Sequence, residues 1–175
     1  MELAKYIRTV ANWPKEGIMF RDITTLLSNP EGFKLCMDQL LDHYRKLNFD
    51  KVVAIESRGF LFASVIAREL EKGLVLIRKP GKLPAETVSE EYQLEYGTDK
   101  IEIHRDALNQ DEKVIVIDDL LATGGTALAA IHLCEKLGAV VVEAGFVIDL
   151  PDIGGSKKLQ ENGYQVFALV EFAGD

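Results

Sequence analysis

The chain is short of the residues that build metal and redox centres: its 175 residues include two cysteines and three histidines. Cys36 and Cys134 each lie in an apolar, helix-like stretch, where a thiol acts as a small core side chain, so no disulfide is needed to hold the fold. His43, His104 and His132 show no metal-ligand spacing and are assigned no chemistry. Long apolar runs are absent too. Nothing approaches the roughly 18–20 residues that span a bilayer, and the opening MELAKYIRTV has no charged-then-apolar leader pattern, so the expectations are no membrane and a cytoplasmic setting. Positive charge is in deficit, with 20 Lys and Arg against 28 Asp and Glu and a formal net charge of −8. A nucleic-acid partner needs a basic face and is therefore not expected. A small anionic ligand is not excluded, because backbone N–H groups and a few arginines bind phosphate locally whatever the total charge. Repeats, low-complexity tracts and interdomain linkers are also missing.

What is present suits one core. With 47% hydrophobic residues at this length, residues 1–175 are expected to form a single domain. From residue 52 onward, apolar runs of strand length alternate with amphipathic stretches of helix length, the rhythm of βαβ units. The fold class is α/β, with a central, mostly parallel sheet flanked by helices. Strands are expected at 52–56, 74–78, 114–118, 140–147 and 165–170, rich in Val and Ile with little alternation, as for strands covered on both faces. Helices are expected at 60–71 and 126–137, with Gly73 and Gly138 as stops, and at 33–46 after Asn29-Pro30-Glu31. Two regions break the rhythm. Residues 13–27, interrupted by Pro14 and Gly17, read as a cap within the first 30 or so residues, and residues 81–105 read as a strand pair with a long mobile loop over the site.

The segment 114–126, VIVIDDLLATGGT, carries the chemistry. A buried strand ends in Asp118 and Asp119, where ligands of open parallel sheets bind, and two acids there can accept hydrogen bonds from a vicinal diol such as ribose. Ala122, Thr123, Gly124, Gly125 and Thr126 follow as a small-residue turn into a helix. Its glycines let the backbone come close to a ligand, and its N–H groups and helix N-terminus attract phosphate. Diol acceptors beside a phosphate cradle match the outline of ribose 5-phosphate. Taken alone, an acidic pair before TGGT is also an ordinary strand-to-helix turn. Neither a G-x-x-x-x-G-K-[ST] loop nor a G-x-G-x-x-G fingerprint is present.

The full pattern closely resembles the phosphoribosyl pyrophosphate (PRPP) signature of the type I phosphoribosyltransferases, and DDLLATGGT is similar to the adenine-specific branch. Three further stretches match that branch, so the resemblance runs from about residue 13 onward. It implies the type I phosphoribosyltransferase fold with an N-terminal hood. Glu56-Ser57-Arg58-Gly59-Phe60 is similar to the family's pyrophosphate loop, which implies that backbone amides and Arg58 hold the leaving group and that a non-proline cis peptide falls at Glu56–Ser57; read alone, SRGF equally starts a helix with a serine N-cap. Arg78, Lys79 and Lys82 match positions that face pyrophosphate, partly across a dimer interface, although a charge cluster alone reads as a solvated turn. PKEGIMFRD resembles the adenine hood, which implies that Phe20 stacks on the purine, main-chain atoms of Met19 and Arg21 read its edge, and Leu120 closes the other face. Without the resemblance, Phe20 reads as core. Leu94-Glu95-Tyr96-Gly97 matches the stretch whose glutamate handles a proton at the purine and whose tyrosine closes the site; this selects Glu95 and Tyr96 over Glu90 and Glu91, which read as solvated acids.

The implied reaction joins adenine to PRPP and releases AMP and pyrophosphate. Mg2+ is the implied cofactor, riding in on PRPP without direct protein ligands and reaching Asp118 and Asp119 through water. A homodimer is implied as well. The alternatives are the same chemistry on xanthine, hypoxanthine–guanine or orotate, a PRPP-sensing regulator, and an unrelated nucleotide-binding α/β protein. The hood argues against another base, and the regulator's usual DNA-binding module has no room in this acidic chain.

Overall fold

The computed structural model describes residues 2–94 and 97–174. A two-stranded antiparallel ribbon, β1 (Arg8–Ala11) and β2 (Met19–Asp22), precedes α1 (Thr24–Ser28) and α2 (Pro30–Tyr44). α2 begins where its residues dictate: the Asn29 side chain accepts from the Gly32 N–H at 2.9 Å, and Pro30 takes the first helical position, which needs no N–H partner. Next come β3 (Lys51–Ile55), α3 (Gly59–Glu69), β4 (Gly73–Ile77) and an antiparallel hairpin, β5 (Thr87–Gln93) and β6 (Thr98–His104). The chain continues through β7 (Lys113–Leu121), α4 (Gly125–Lys136), β8 (Val140–Asp149), α5 (Gly155–Glu161) and β9 (Val166–Glu171).

β3, β4, β7, β8 and β9 form one parallel sheet in the order β4-β3-β7-β8-β9. Successive side chains leave a strand on opposite faces, and both faces here are covered. Val52 and Ala54 enter a core shared with α2 and α3, whereas Val53 and Ile55 enter a second core with α4 and the hairpin. This double burial is why the strands read as unbroken Val and Ile. Tyr44, Phe49 and Phe62 fill the first core and Phe146 the second, each contributing about 1.5–3 kcal/mol by leaving water. Cys36 and Cys134 are buried in α2 and α4, and burial pushes both thiols up to about 12, which disfavours the thiolate at neutral pH.

The structure departs from the sequence reading in three places. β7 runs to Leu121 rather than stopping at 118, because its pairing with β8 continues through Leu120↔Ile148 and Leu121↔Asp149. The acidic pair is thus held inside a strand. After α3 the left-handed residue is Glu71, at φ 54, and Gly73 opens β4; Gly138, at φ 87, does end α4 as expected. The expected long loop over the site is mostly strand: β5 takes in Ser89 to Gln93, since Val88 and Tyr92 pack into the second core, and the connection shrinks to residues 94–97. From the centre of the sheet the chain winds outward in both directions, β3 to β4 and β7 to β8 to β9. The crevice at this switch lies beyond the carboxyl ends of β3 and β7.

Candidate active site

A cavity of about 350 Å³ occupies that crevice, lined by Ile55 at the end of β3, residues 56–58 after it, Lys79 beyond β4, Tyr92 and Ile101 of the hairpin, and Asp118, Asp119 and Thr126. A smaller one, about 110 Å³, opens over residues 120–127 with Asp118 and Phe146. The sheet therefore brings the acidic pair, the turn at 122–126 and the loop at 56–58 to one place.

The turn at 122–126 is shaped by backbone contacts. Gly124 caps α4 at φ 79, a conformation that side chains disfavour, and no side chain caps the helix, so its first N–H groups face the crevice unclaimed by caps. The turn rests on a second glycine pair that the sequence reading missed: the Gly155 N–H donates to the Ala122 carbonyl at 2.9 Å, and a Cβ on Gly155 would stand 2.3 Å from that oxygen. The signal was available in the GG of DIGGSKK, but a glycine pair alone names no partner.

Asp118 and Asp119 sit below this turn. Burial first, and the neighbouring Asp119 charge second, push the Asp118 carboxyl well above the usual carboxylate range. Asp119 is paired with Arg58, whose Nε lies 2.7 Å from its carboxylate.

Every other cation assigned from sequence also has an acid. The Glu56 carboxylate accepts from Arg78 Nε at 3.2 Å, Arg78 Nη2 at 3.3 Å and the Lys79 N–H at 2.8 Å, and Lys82 Nζ lies 3.1 Å away. Burial alone would raise Glu56, but the Lys79 N–H, Lys82 and Arg78 together hold it below its ordinary value. Glu56 therefore gathers cations at the wall of the main cavity. Lys79 Nζ is ion-paired with Asp99 and lies 3.3 Å from the Tyr92 hydroxyl, which itself donates to Asp99 at 3.0 Å. Lys79 reaches the main cavity; Arg78 and Lys82 stand behind Glu56 and do not line it. The Glu56–Ser57 peptide is cis, and Arg58, with no side-chain cap, precedes α3, so the serine N-cap reading fails.

Phe20 lines a separate cavity of about 290 Å³ with Val10, Trp13 and Asp22, its ring 4.5 Å from that of Trp13. Arg58 connects the two cavities, its guanidinium 5.8 Å from the Phe20 ring centre. Among the described residues the ribbon has two strands, so no strand pairs with the outer edge of β2, where Met19 is exposed. The Arg21 side chain is occupied elsewhere: it donates to Thr9 Oγ1 at 2.6 Å and lies over Phe172 at 4.5 Å, fastening the ribbon to the chain just after β9. Leu120 is half-buried near the end of β7. Glu95 and Tyr96 lie outside the described residues.

Residues 22–170 match the model of the phosphoribosyl transferase domain family. A curated relative, the adenine phosphoribosyltransferase of Chlorobaculum tepidum, is 57% identical over 177 residues, covering all of both chains. The crystal structure of adenine phosphoribosyltransferase from Thermoanaerobacter pseudethanolicus superposes with a TM-score of 0.93 at 45% identity over 98% of each chain. That of the Saccharomyces cerevisiae enzyme, complexed with an imino-altritol bisphosphate and adenine, gives 0.89 at 39% identity over 97% of each chain.

Proposed function

The chain belongs to the phosphoribosyltransferase family and, within it, groups with the adenine phosphoribosyltransferases, and on that premise we propose that it converts adenine and PRPP to AMP and pyrophosphate, salvaging preformed purine. The observation that carries this reading is one crevice that holds an acidic pair, a backbone phosphate cradle and two cations, with an aromatic hood beside it.

The turn at 122–126 takes the 5′-phosphate, with the α4 N–H groups and the Thr123 and Thr126 hydroxyls as donors. Asp118 and Asp119 accept from the ribose hydroxyls. Arg58 exchanges Asp119 for pyrophosphate oxygens, assisted by the Ser57 region and Lys79, while Glu56 keeps Arg78 and Lys82 near. Phe20 stacks on the base, Leu120 bounds its far side, and main-chain atoms of Met19 and Arg21 distinguish a 6-amino from a 6-oxo group. The C1′–oxygen bond to pyrophosphate breaks as the adenine nitrogen bonds to C1′, and the proton lost by that nitrogen passes to Glu95, with Tyr96 closing over the site. Among the described residues no group of three or more His, Cys, Asp or Glu side chains could hold a metal. The Asp118 and Asp119 carboxylates would hold Mg2+ carried on PRPP through water, and the ion, when bound, would neutralise charge on the departing pyrophosphate.

A homodimer belongs to the same proposal. Leu61 on α3 and Leu74 and Leu76 on the edge strand β4 are exposed, on the flank that continues into the basic segment 78–82, and a second copy is the occupant we assign to it. Sedimentation at micromolar concentration should give a dimer that Leu76→Lys dissociates; a monomeric parent would remove this part of the reading. The reduced, buried cysteines support a cytoplasmic location, and no helix among the described residues is long and apolar enough to cross a membrane.

The deciding experiment is base-dependent pyrophosphate release from PRPP and Mg2+. Adenine should support turnover, with hypoxanthine, guanine, xanthine and orotate far behind, and Glu95→Ala should lower kcat by about 10²–10⁴-fold. Equal turnover with a 6-oxopurine would overturn the hood assignment.

A further inference from the structure

The inward face of β5 contains one charge. Side chains alternate along the strand, and Val88 and Tyr92 pack into the core shared with α4. Glu90 lies between them on the same face. It is not a solvated acid: its side chain is 21% exposed, its carboxylate lies 3.4 Å from His132 Nδ1, and it is ion-paired with Lys136. His132 and Lys136 are one turn apart on α4 and so present a common face to the strand. Lys136 Nζ also donates to the Ser89 carbonyl at 3.1 Å, gripping β5 at adjacent residues. These contacts hold the Glu90 carboxyl below its ordinary value, with Lys136 the main cause.

An inward charge between apolar neighbours gains little as packing but is decisive for register. Slipping β5 by one residue would turn Val88 and Tyr92 outward and leave Lys136 and His132 facing Ser89 or Glu91 at the wrong height. Register matters because of where the strand leads. The Gln93 carbonyl lies 3.4 Å from where a Cβ on Gly125 would stand, and Tyr92 Cδ2 lies 3.5 Å away. The end of β5 is thus seated on the first residue of the helix that the turn at 122–126 opens, and the chain passes directly from there into residues 94–97.

We propose that Glu90 is a positioning residue: clasped by His132 and Lys136, it sets the register of the hairpin on α4 and so the seating of Tyr92 at the main cavity and of Gln93 on Gly125. The inference rests on the proposed function for its catalytic consequence, and on the hairpin's seating alone for its physical one.

Two measurements keep these apart. In the full chain with PRPP, adenine and Mg2+, Glu90→Gln should lower kcat about tenfold and leave KM for adenine within about twofold, since the hood stays in place while Tyr92 and the Gln93 contact with Gly125 shift. Lys136→Met should show the same split, and the pair should lose little more than either alone. The exchanged pair, Glu90→Lys with Lys136→Glu, should recover most of kcat, which a merely damaged fold would not do. Independently of turnover, amide hydrogen exchange at residues 87–93 should quicken in Glu90→Gln and Lys136→Met while that of β7 stays as in the parent. Parental kcat and parental exchange in both single variants would overturn the inference, as would additive losses with no recovery in the exchanged pair. A parent that releases no pyrophosphate would count against the proposed function, and the exchange result would still decide the clasp.

Discussion

The turn after β7 and the cation cluster beyond β3 and β4 face each other across one crevice but are built from different materials. The first is backbone: a strand held in register to Leu121, a left-handed Gly124 and a carbonyl seated on Gly155. The second is side chain: Arg58 on Asp119, Arg78 and Lys82 on Glu56, and Lys79 on Asp99. A backbone site holds its shape whether or not a ligand is present. A site of paired side chains must give up partners to take one.

The comparison can be broken most severely from the backbone side. Gly155→Ala touches no proposed substrate group, yet its Cβ would stand 2.3 Å from the Ala122 oxygen and 2.9 Å from the Gly124 nitrogen, so the turn must move. Steady-state kinetics should show kcat/KM for PRPP reduced about 10²-fold. Lys82→Ala on the opposite wall should cost only about two- to fivefold, because Lys82 is half-exposed and Arg78 keeps Glu56 paired. Similar losses in the two variants would remove the distinction.

A smaller effect sharpens it through pH. Asp118 titrates in the folded chain well above the roughly 3.9 of an unfolded aspartate. The unfolded state therefore releases its proton first, and stability falls as pH rises through the interval between the two values. Asp118→Asn should raise the unfolding midpoint near pH 7 by about 2–4 °C while abolishing PRPP binding, and the gain should vanish below pH 3. Identical melting of parent and variant at both pH values would show that folding does not raise the Asp118 carboxyl.

The contrast in materials also explains what could be read in advance. VIVIDDLLATGGT was legible because backbone geometry demands small residues at fixed spacing, and those demands are local in sequence. The sheet was legible for the same reason, through doubly buried strands. The pairings were not. Glu56 meets Lys82 across 26 positions and Glu90 meets Lys136 across 46, distances over which a charge does not specify its partner until the strands are placed. Glu90 and His132 accordingly read as ordinary surface residues. Gly155 escaped notice because its role is defined by the carbonyl it must not touch.

The internal pairing of cations has a consequence for how the protein meets the crowd of phosphates in a cell. An unpaired arginine and lysine cluster would attract any polyanion and hold it weakly. Here each guanidinium or ammonium is already answered, in a chain of net charge −8, so the crevice offers little long-range pull. Only a molecule that fills several positions together can displace the acids at once. Discrimination then begins with the cost of entry, before any base is inspected.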